Sequence, residues 1–480
     1  MDKRKVDIAI IGAGTAGLTA YNAARKHTDN LVLIEGDTYG TTCARMGCMP
    51  SKLLIAAADS AHDAARAAMF GVAVEGIRIN GEAVLERVRR ERDAFVSSVL
   101  ESMEAIPESH KLMGRARFLA PGRLAVGDAL EVRAERIVIA TGSSPHIPAM
   151  FQGLGDRLLT NDSLFELQTL PASIAVFGTG VVGLELGQAL SRLGVHVRLL
   201  GRDGALGGIV DEEIRDYAER CFSEAFYLDT RSEVADLSPA DNGVAITFTH
   251  QERGELAETF ERILVATGRP PNLTALDLHH SGLTLDDAGI PVTDTATLQC
   301  GDSPVFLVGD ANGQAAVLHE AAQEGRIAGD NAGRYPQVQA ASRQVPLSVV
   351  FTHPQIASVG VPVGRMSGAK RKGFAVGTVS FEDQGRSKVI GKNRGLLKVY
   401  AQRGSGVFVG AEMLGPAAEH IGHLLAWAAQ GRMTVREMLG MPFYHPVIEE
   451  GVRTALKDLN ARLHESVACD DECLESGPGA

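Results

Sequence analysis

Two cysteines near the start of the chain have the residue type and spacing for redox chemistry. Cys43 and Cys48 enclose Ala-Arg-Met-Gly and are followed at once by Met-Pro-Ser-Lys, which ends at Lys52. In an ideal α-helix, two Cα atoms five residues apart lie roughly 8–9 Å from each other, whereas a disulfide needs less than about 7 Å. The pair can therefore form a disulfide only if the helix start is distorted or Cys43 lies just before it.

Length and charge narrow the class of protein. The chain has 480 residues, 45% of them hydrophobic, and a net charge of −12 without long runs of like charge. This size predicts several domains, and the acidic balance argues against nucleic acid or an anionic membrane as a partner. The chain contains no apolar run of 18 residues and begins with no signal-peptide pattern, so we expect a soluble cytoplasmic protein.

The other four cysteines need separate explanations. Cys221 and Cys300 stand alone and are predicted to be buried core residues. Cys469 and Cys473 lie in a polar, acidic tail over residues 465–480, which is predicted to be flexible. These two could form a second redox pair, bind a soft metal or be inert. The inert interpretation is favoured because acidic neighbours raise the pKa of a thiol and slow its attack.

A dinucleotide-binding fingerprint precedes the redox pair. It combines a buried strand over residues 6–11, a glycine-rich turn, a helix and a second strand that ends at Glu35. The glycines of the turn are Gly12, Gly14 and Gly17. They permit a tight turn and close approach of a pyrophosphate, which faces the helix N-terminus, while the acid binds a ribose hydroxyl. The sequence therefore predicts a first nucleotide site here.

The same pattern recurs in the middle of the chain. Strands over residues 174–177 and 195–200 flank a second turn, whose glycines are Gly178, Gly180 and Gly183. The position that matches Glu35 is Gly201, and Arg202 follows it. Loss of the carboxylate and gain of an arginine favour the 2′-phosphate of NADP(H), although the third glycine is typical of NAD sites. Both nicotinamide nucleotides stay open.

Three further strands end where ligands bind in parallel sheets. They lead into Ala-Thr-Gly at Gly142, into Ala-Thr-Gly-Arg at Gly268 and Arg269, and into Gly-Asp at Asp310. An acid at the carboxyl end of a parallel strand is placed to meet a ligand in the crevice there. A cysteine pair cannot accept hydride from a nicotinamide directly, so a flavin must relay the electrons. Two nucleotide sites therefore fit one FAD and one NAD or NADP.

Together these motifs resemble the class I pyridine nucleotide–disulfide oxidoreductases, and most of all dihydrolipoamide dehydrogenase. The resemblance covers roughly residues 5–462 and extends to Thr-His-Pro at 352–354 and Tyr-His-Pro-Val-Ile-Glu-Glu at 444–450. It implies an α/β fold with two Rossmann-like doubly wound nucleotide-binding domains and a C-terminal α/β dimerisation domain. The implied domains are FAD-binding (1–145, completed by 270–340), NAD(P)-binding (146–269) and dimerisation (341–464). In the dimerisation domain we expect mixed strands around residues 398–409 and helices over 418–430 and 447–462.

The resemblance also implies roles for individual residues. Cys48 would be the thiolate beside the flavin, and Cys43 the interchange thiol that attacks the substrate disulfide. Lys52 would lie near the flavin, paired with Glu185. The acid–base dyad would be His445 and Glu450, supplied by the partner subunit of an obligate homodimer. The implied FAD-binding residues are Gly12, Gly14, Gly17, Glu35, Thr42, Ala116, Gly142 and Asp310. The implied NAD(P)-binding residues are Gly178, Gly180, Gly183, Arg202, Gly268 and Arg269.

The substrate stays open between three hypotheses. The first is a dihydrolipoamide dehydrogenase-like enzyme acting on a small dithiol or a lipoyl domain, favoured by Pro-Ser-Lys at 50–52 and the His–Glu dyad. The second is an NADPH-dependent reductase of glutathione-like or protein disulfides, favoured by Arg202. The third is a non-enzymatic FAD-binding protein, which the complete set of redox residues disfavours. Between the cysteines the chain has Ala-Arg-Met-Gly, where dihydrolipoamide dehydrogenases usually carry Leu-Asn-Val-Gly. Arg45 and Met46 therefore leave the first hypothesis unsettled.

Overall fold

The first sheet is built on the N-terminal strand, which is buried on both faces. The computed structural model describes residues 2–250 and 254–463, so Cys469 and Cys473 lie outside the described residues. In spatial order the strands are Lys111–Met113, Leu31–Glu35, Asp2–Ile11, Leu130–Ile139, Arg123–Val126 and Ala116–Ala120, with Val305–Leu307 also paired to Leu130–Ile139. Ile8 and Ile10 enter one core cluster, whereas Ala9 and Ile11 enter another on the opposite face. A strand covered on both faces is typical of a doubly wound sheet.

Four α-helices of ten or more residues accompany this sheet. They are Thr15–Ala24, Cys48–Arg66, Gly81–Glu104 and Leu318–Arg334, and the short helix Thr42–Arg45 precedes the second of them. The strand Val305–Leu307 pairs in parallel with Leu130–Ile139 although more than 160 residues separate them in the chain. Because of this pairing, the turn at Asp310 lies at the same edge of the sheet as the turn at Gly142.

The second sheet is entirely parallel, like the central strands of the first sheet. Its strands, in spatial order, are Tyr227–Asp229, His196–Leu200, Ser173–Phe177, Arg262–Val265 and Leu158–Leu159. The helices of this region are Asn161–Leu164, Val181–Arg192 and Glu212–Ser223. A separate antiparallel sheet of Val234–Ala240, Gly243–His250 and Gly254–Phe260 packs against one face.

The fourth sheet is antiparallel and lies in the C-terminal domain. Its strands, in spatial order, are Leu347–Val350, Gln355–Gly360, Phe408–Gly415, Leu396–Gln402 and Phe374–Ser380. Its helices are Gly368–Lys372, Gly385–Val389, Ala418–Gln430, Val435–Leu439 and Glu450–Leu463. The predicted α/β fold class, with two doubly wound domains followed by a C-terminal α/β domain, is confirmed. Among the helices of the described residues, none has the length and apolar character needed to cross a membrane.

Candidate active site

The redox pair lies across a break between two helices. Cys43 lies in the short helix Thr42–Arg45, and the next helix begins at Cys48. A continuous helix would place Pro50 four residues after Met46, where proline has no N–H to donate and its ring would clash with the carbonyl group. Gly47 fills the break, and a Cβ there would come within 3.0 Å of the Thr42 carbonyl oxygen. The helix is therefore broken between the two cysteines, and Cys43 lies before the helix that begins at Cys48, which is one of the two arrangements that would permit a disulfide.

The pKa values of the two thiols shift in opposite directions. Both cysteines are free thiols, and Cys43 donates a hydrogen bond to the Cys48 sulfur. This bond and the positive charge of Lys52, against the opposing effect of burial, together lower the pKa of Cys48 to about 6. The same hydrogen bond, together with burial, raises the pKa of Cys43 above the usual range of a thiol. Near neutral pH the thiolate therefore lies on Cys48, and Cys43 keeps its proton.

This assignment predicts the pH dependence of Cys48 reactivity. Because the pKa of Cys48 is lowered, its thiolate is present above about pH 6 and is lost as the pH falls through that value. The rate of Cys48 alkylation by iodoacetamide, followed by mass spectrometry of the reduced protein, should show this midpoint. Lys52→Met should raise the midpoint by about one pH unit, whereas Lys388→Met, on an exposed lysine paired with Asp383, should not. An unchanged midpoint in Lys52→Met would contradict the electrostatic role of Lys52.

Lys52 and Glu185 form the contact that the sequence predicts. Lys52 Nζ lies 2.7 Å from Glu185 Oε2, and Glu185 is 4% exposed. The other carboxylate oxygen of Glu185 accepts from the backbone N–H of Phe351 at 2.9 Å, and the Phe351 ring lies under the Lys52 ammonium group, 4.7 Å from it. One buried carboxylate thus joins the redox helix, the second nucleotide helix and the C-terminal domain. A buried charge held this way is fixed in position.

His445 and Glu450 also meet as predicted. His445 Nδ1 lies 2.9 Å from Glu450 Oε1, and Glu450 Oε2 accepts from the backbone N–H of Val447 at 3.1 Å. The helix predicted to start at residue 447 starts at Glu450 instead, because residues 445–449 form turns. A carboxylate at a helix N-terminus is favoured by the helix dipole. The carboxylate is therefore fixed at the point where it can orient the imidazole.

The imidazole of His445 faces outward. Its side chain is 60% exposed, whereas that of Glu450 is 8% exposed. Within the described residues of one chain, His445 makes no hydrogen bond to Cys43 or Cys48. The base is thus oriented by a buried carboxylate and exposed at the surface of its own chain.

The first glycine turn fits a dinucleotide. Gly12 has a φ of +104°, and a Cβ there would overlap the carbonyl group of Ala140. A Cβ on Gly14 would meet nothing within 4 Å, so the turn is open on the side where a pyrophosphate would bind. Gly14 caps the helix Thr15–Ala24 without a side-chain hydrogen bond, which leaves helix N–H groups for an anion. Glu35 accepts from the backbone N–H of Ala13 at 2.8 Å, which places it beside the turn.

The remaining residues predicted to bind FAD surround this turn. Thr42 and Ala116 are the first residues of a helix and a strand, respectively, and Gly142 follows the strand Leu130–Ile139. Thr141 Oγ1 is buried without a hydrogen-bond partner among the described residues, as expected of a group that faces a polar ligand. The residues present therefore fit FAD at this edge of the first sheet.

The second glycine turn repeats the first, with one difference. A Cβ on Gly178 would overlap the carbonyl group of Ala266, and a Cβ on Gly180 would meet nothing within 4 Å. A Cβ on Gly201, however, would lie 2.7 Å from Thr179 Oγ1 and 2.8 Å from the Thr230 carbonyl oxygen. The site therefore has no room for an acidic side chain at the position equivalent to Glu35. A nicotinamide nucleotide fits this turn.

Arg269 lies in a hydrogen-bond network that the sequence did not predict. Its Nε and Nη2 donate to the side-chain and carbonyl oxygens of Ser143, at 3.2 and 2.8 Å, and its Nη1 donates to Asn161. Ser143 in turn donates to Asp310 at 2.7 Å. Neither Ser143 nor Asn161 was a candidate, because no local motif marks them. Contact of Arg269 with the nucleotide stays a prediction, and Gly268 precedes it with a φ of +122°.

Comparisons with known proteins agree over nearly the whole chain. The family model of pyridine nucleotide-disulphide oxidoreductases matches residues 6–344, and that of the family's dimerisation domain matches residues 346–456. The dihydrolipoyl dehydrogenase of Chlamydia pneumoniae is 28% identical over 96% of this chain and 98% of its own length. The mercuric reductase of Shigella flexneri is 31% identical over 96% of this chain and 82% of its own length. The crystal structure of LpdA from Mycobacterium tuberculosis superposes with a TM-score of 0.80 at 26% identity, over 95% and 99% of the two chains.

Proposed function

Because the chain belongs to the pyridine nucleotide-disulphide oxidoreductase family, we propose that it transfers two electrons between a dithiol–disulfide substrate of the dihydrolipoamide type and a nicotinamide nucleotide. The cofactors of the family are FAD and NAD(P), and FAD when bound exchanges electrons between the nicotinamide and the cysteine pair. The observation that carries the proposal is the placement of two free thiols, Cys43 and Cys48, at the break between two helices, where Lys52 of the second helix lies 2.7 Å from the buried Glu185.

The chemistry of the cysteine pair follows from where the proton lies. In disulfide reduction, Cys43 must lose its proton and attack one substrate sulfur, which forms a mixed disulfide and releases the other sulfur as a thiolate. The Cys48 thiolate then attacks the Cys43 sulfur, which forms the Cys43–Cys48 disulfide and releases the second substrate thiolate. The reverse sequence oxidises a dithiol. Cys48 suits the second attack because its lowered pKa keeps it ionised.

A base is needed for Cys43 because its pKa is raised. We assign this role to His445 of the partner subunit, since the imidazole is exposed on its own chain and held by Glu450. It takes the proton of Cys43 before attack and returns it to the departing substrate thiolate. The dimerisation domain supports the homodimer that this arrangement requires.

A matrix of substrates and nucleotides tests the proposed function. Dihydrolipoamide oxidation with NAD⁺ and NADP⁺ should be compared with reduction of lipoamide, glutathione disulfide and oxidised thioredoxin by NADH and NADPH. Turnover of the lipoamide couple well above the substrate-free background is expected. Background rates with that couple and both nucleotides would reject the dihydrolipoamide class, and turnover of another disulfide would replace it.

A second candidate, an NADPH-dependent disulfide reductase, is favoured by the second nucleotide site. Gly201 leaves no room for the acid that would bind a free 2′-hydroxyl and repel a 2′-phosphate. Arg202 follows it at the surface, and the guanidinium of Arg231 packs against Gly204 in the same turn. Within the part of the chain that the structure describes, neither guanidinium has a hydrogen bond or an ion pair. Two such arginines suit a phosphate dianion.

This candidate makes a prediction about nucleotide preference. We expect kcat/KM for NADPH to exceed that for NADH by at least about tenfold, the range of one charge-assisted hydrogen bond. Arg202→Gln should lower kcat/KM for NADPH by a similar factor and leave that for NADH nearly unchanged. Arg220→Gln, on an exposed arginine of the same domain, is the control and should alter neither constant. A wild-type preference for NADH would count against this candidate.

A further inference from the structure

The carbonyl oxygen of Met46 lies at the break in the redox helices and takes its donor from another domain. In a continuous helix it would accept from the N–H of residue 50, which is a proline. The side-chain amide of Asn161 donates to it instead, at 2.9 Å, across 115 residues of sequence. Asn161 opens the short helix Asn161–Leu164 beside the second sheet. The conformation of the segment between the two cysteines is thus fixed by a residue outside the first domain.

Asn161 is itself held by Arg269. Its Oδ1 accepts from Arg269 Nη1 at 3.0 Å, and Arg269 is anchored on Ser143, which donates to Asp310. An unbroken series of hydrogen bonds therefore joins the Met46 carbonyl group to the edge of the first sheet where the predicted FAD site lies. Five residues far apart in the chain take part in it: Met46, Ser143, Asn161, Arg269 and Asp310.

Burial and charge allow this network to hold one geometry. The side chain of Arg269 is 20% exposed and lies 3.8 Å from Asp162, so its charge is balanced without free access of water. Ser143 is 7% exposed. Hydrogen bonds shielded from water lose little to competition with solvent, and a planar guanidinium that binds two neighbours fixes their relative orientation.

We propose that Asn161 is a positioning residue for the Cys43–Cys48 pair and that Arg269 orients it. The inference rests on the proposed function, because the pair must alternate between dithiol and disulfide. A disulfide requires the two Cα atoms to lie within about 7 Å, which a relaxed segment between the cysteines satisfies only part of the time. By fixing Met46, Asn161 raises the fraction of time that Cys43 spends within bonding distance of Cys48. It thereby stabilises the disulfide relative to the dithiol.

The redox equilibrium of the pair tests this role without substrate turnover. Asn161→Asp keeps the shape of the side chain and the acceptor for Arg269, but it removes the amide N–H groups that donate to the Met46 carbonyl oxygen and, at 2.8 Å, to Asp162 Oδ1. The FAD-loaded enzyme is equilibrated anaerobically with reduced and oxidised dithiothreitol, without nicotinamide nucleotide, then acid-quenched and alkylated. As the S–S bond forms, oxidised dithiothreitol gains two electrons and two protons, one from Cys43 and one from the solvent. Mass spectrometry of the peptides containing Cys43 and Cys48 gives the disulfide fraction.

We expect the equilibrium constant for disulfide formation to be about tenfold lower in Asn161→Asp than in the wild type. For this two-electron couple, that change corresponds to a reduction potential about 30 mV higher. Asn161→Ala should shift it in the same direction, and Arg269→Lys, which retains the charge and loses the planar fork, should shift it less. Asn393→Asp is the matched control, because its amide also donates to a backbone carbonyl group, that of Glu382 at 3.0 Å, away from this network.

The outcomes separate this inference from the proposed function. Wild-type potentials in Asn161→Asp and Asn161→Ala, with normal FAD content and thermal stability, would overturn the positioning role. If Asn161→Asp does not fold or bind FAD, Asn161→Ala and Arg269→Lys give the same readout. A shifted potential in an enzyme that turns over none of the tested disulfides would leave the positioning role standing and reject the proposed function.

Discussion

Replacing Cys43 by serine is expected to lower kcat for disulfide reduction by at least about 10³-fold, because the hydroxyl cannot form the mixed disulfide with substrate. The kcat of Cys48→Ser should fall by a similar factor, for a different reason. This variant can form the mixed disulfide but cannot resolve it, so Cys43 should remain attached to one half of a linear disulfide or to the whole of a cyclic one. Cys48→Ser should be incubated with the disulfide substrate in the absence of reductant. Intact-mass spectrometry should then show that adduct on Cys48→Ser and no adduct on Cys43→Ser.

Cys300→Ser is the control for these variants. Cys300 is 4% exposed in the core of the first domain, and burial raises the pKa of its thiol to about 11. A residue in that state has no role in thiol exchange, so kcat should stay within about twofold of the wild type. Full turnover in Cys43→Ser would contradict the assignment of the interchange thiol. A wild-type protein that binds FAD but reduces no disulfide would favour the alternative of a non-enzymatic FAD-binding protein.

The parts of the site that the sequence predicts are those that lie close together along the chain. Each glycine turn is followed within a few residues by the helix that it opens, so the backbone pattern alone specifies the cradle. His445 and Glu450 are five residues apart, and their contact needs only a local turn. The cysteine spacing predicts a broken helix because the geometry of a regular helix forbids the disulfide. These features depend on short-range geometry, which residue types and spacing determine.

Other parts of the site depend on packing between distant segments, which no local pattern records. Asn161 reaches Met46 only because the second sheet packs against the redox helices. The triple role of Glu185, which contacts Lys52 and Phe351 at once, likewise needs the relative placement of three regions. The start of the last helix was predicted three residues too early, since a pattern of residue types cannot distinguish a turn from the first turn of a helix.

The C-terminal domain leaves an apolar surface next to the predicted base. An apolar groove of about 500 Å³ runs past Trp427 and Tyr444, whose exposed fractions are 69% and 80%. Apolar side chains of this size on the surface are typical of an interface between subunits. Because Tyr444 directly precedes His445, association through this groove would carry the imidazole toward the partner chain. The groove and the exposed base thus point to the same arrangement, in which each site draws residues from two subunits.

Mixed dimers give the strongest test of that shared site. Cys43→Ser and His445→Gln homodimers should both be nearly inactive, the second by about 10²–10⁴-fold in kcat because it lacks the base. A heterodimer of the two chains contains one site in which an intact Cys43 meets an intact His445, but only if the histidine comes from the partner. Heterodimers isolated by two affinity tags should therefore recover about half of the wild-type activity per dimer.

The alternative arrangement gives the opposite result. If His445 served the cysteines of its own chain, each chain of the heterodimer would carry one defect, and no site would be complete. Activity at the level of the two homodimers would then reject the shared site, although both variants fold and dimerise. A heterodimer of wild-type and Cys43→Ser chains is the matched control, since it should keep one complete site under either arrangement. The recovered activity thus depends only on which chain supplies His445.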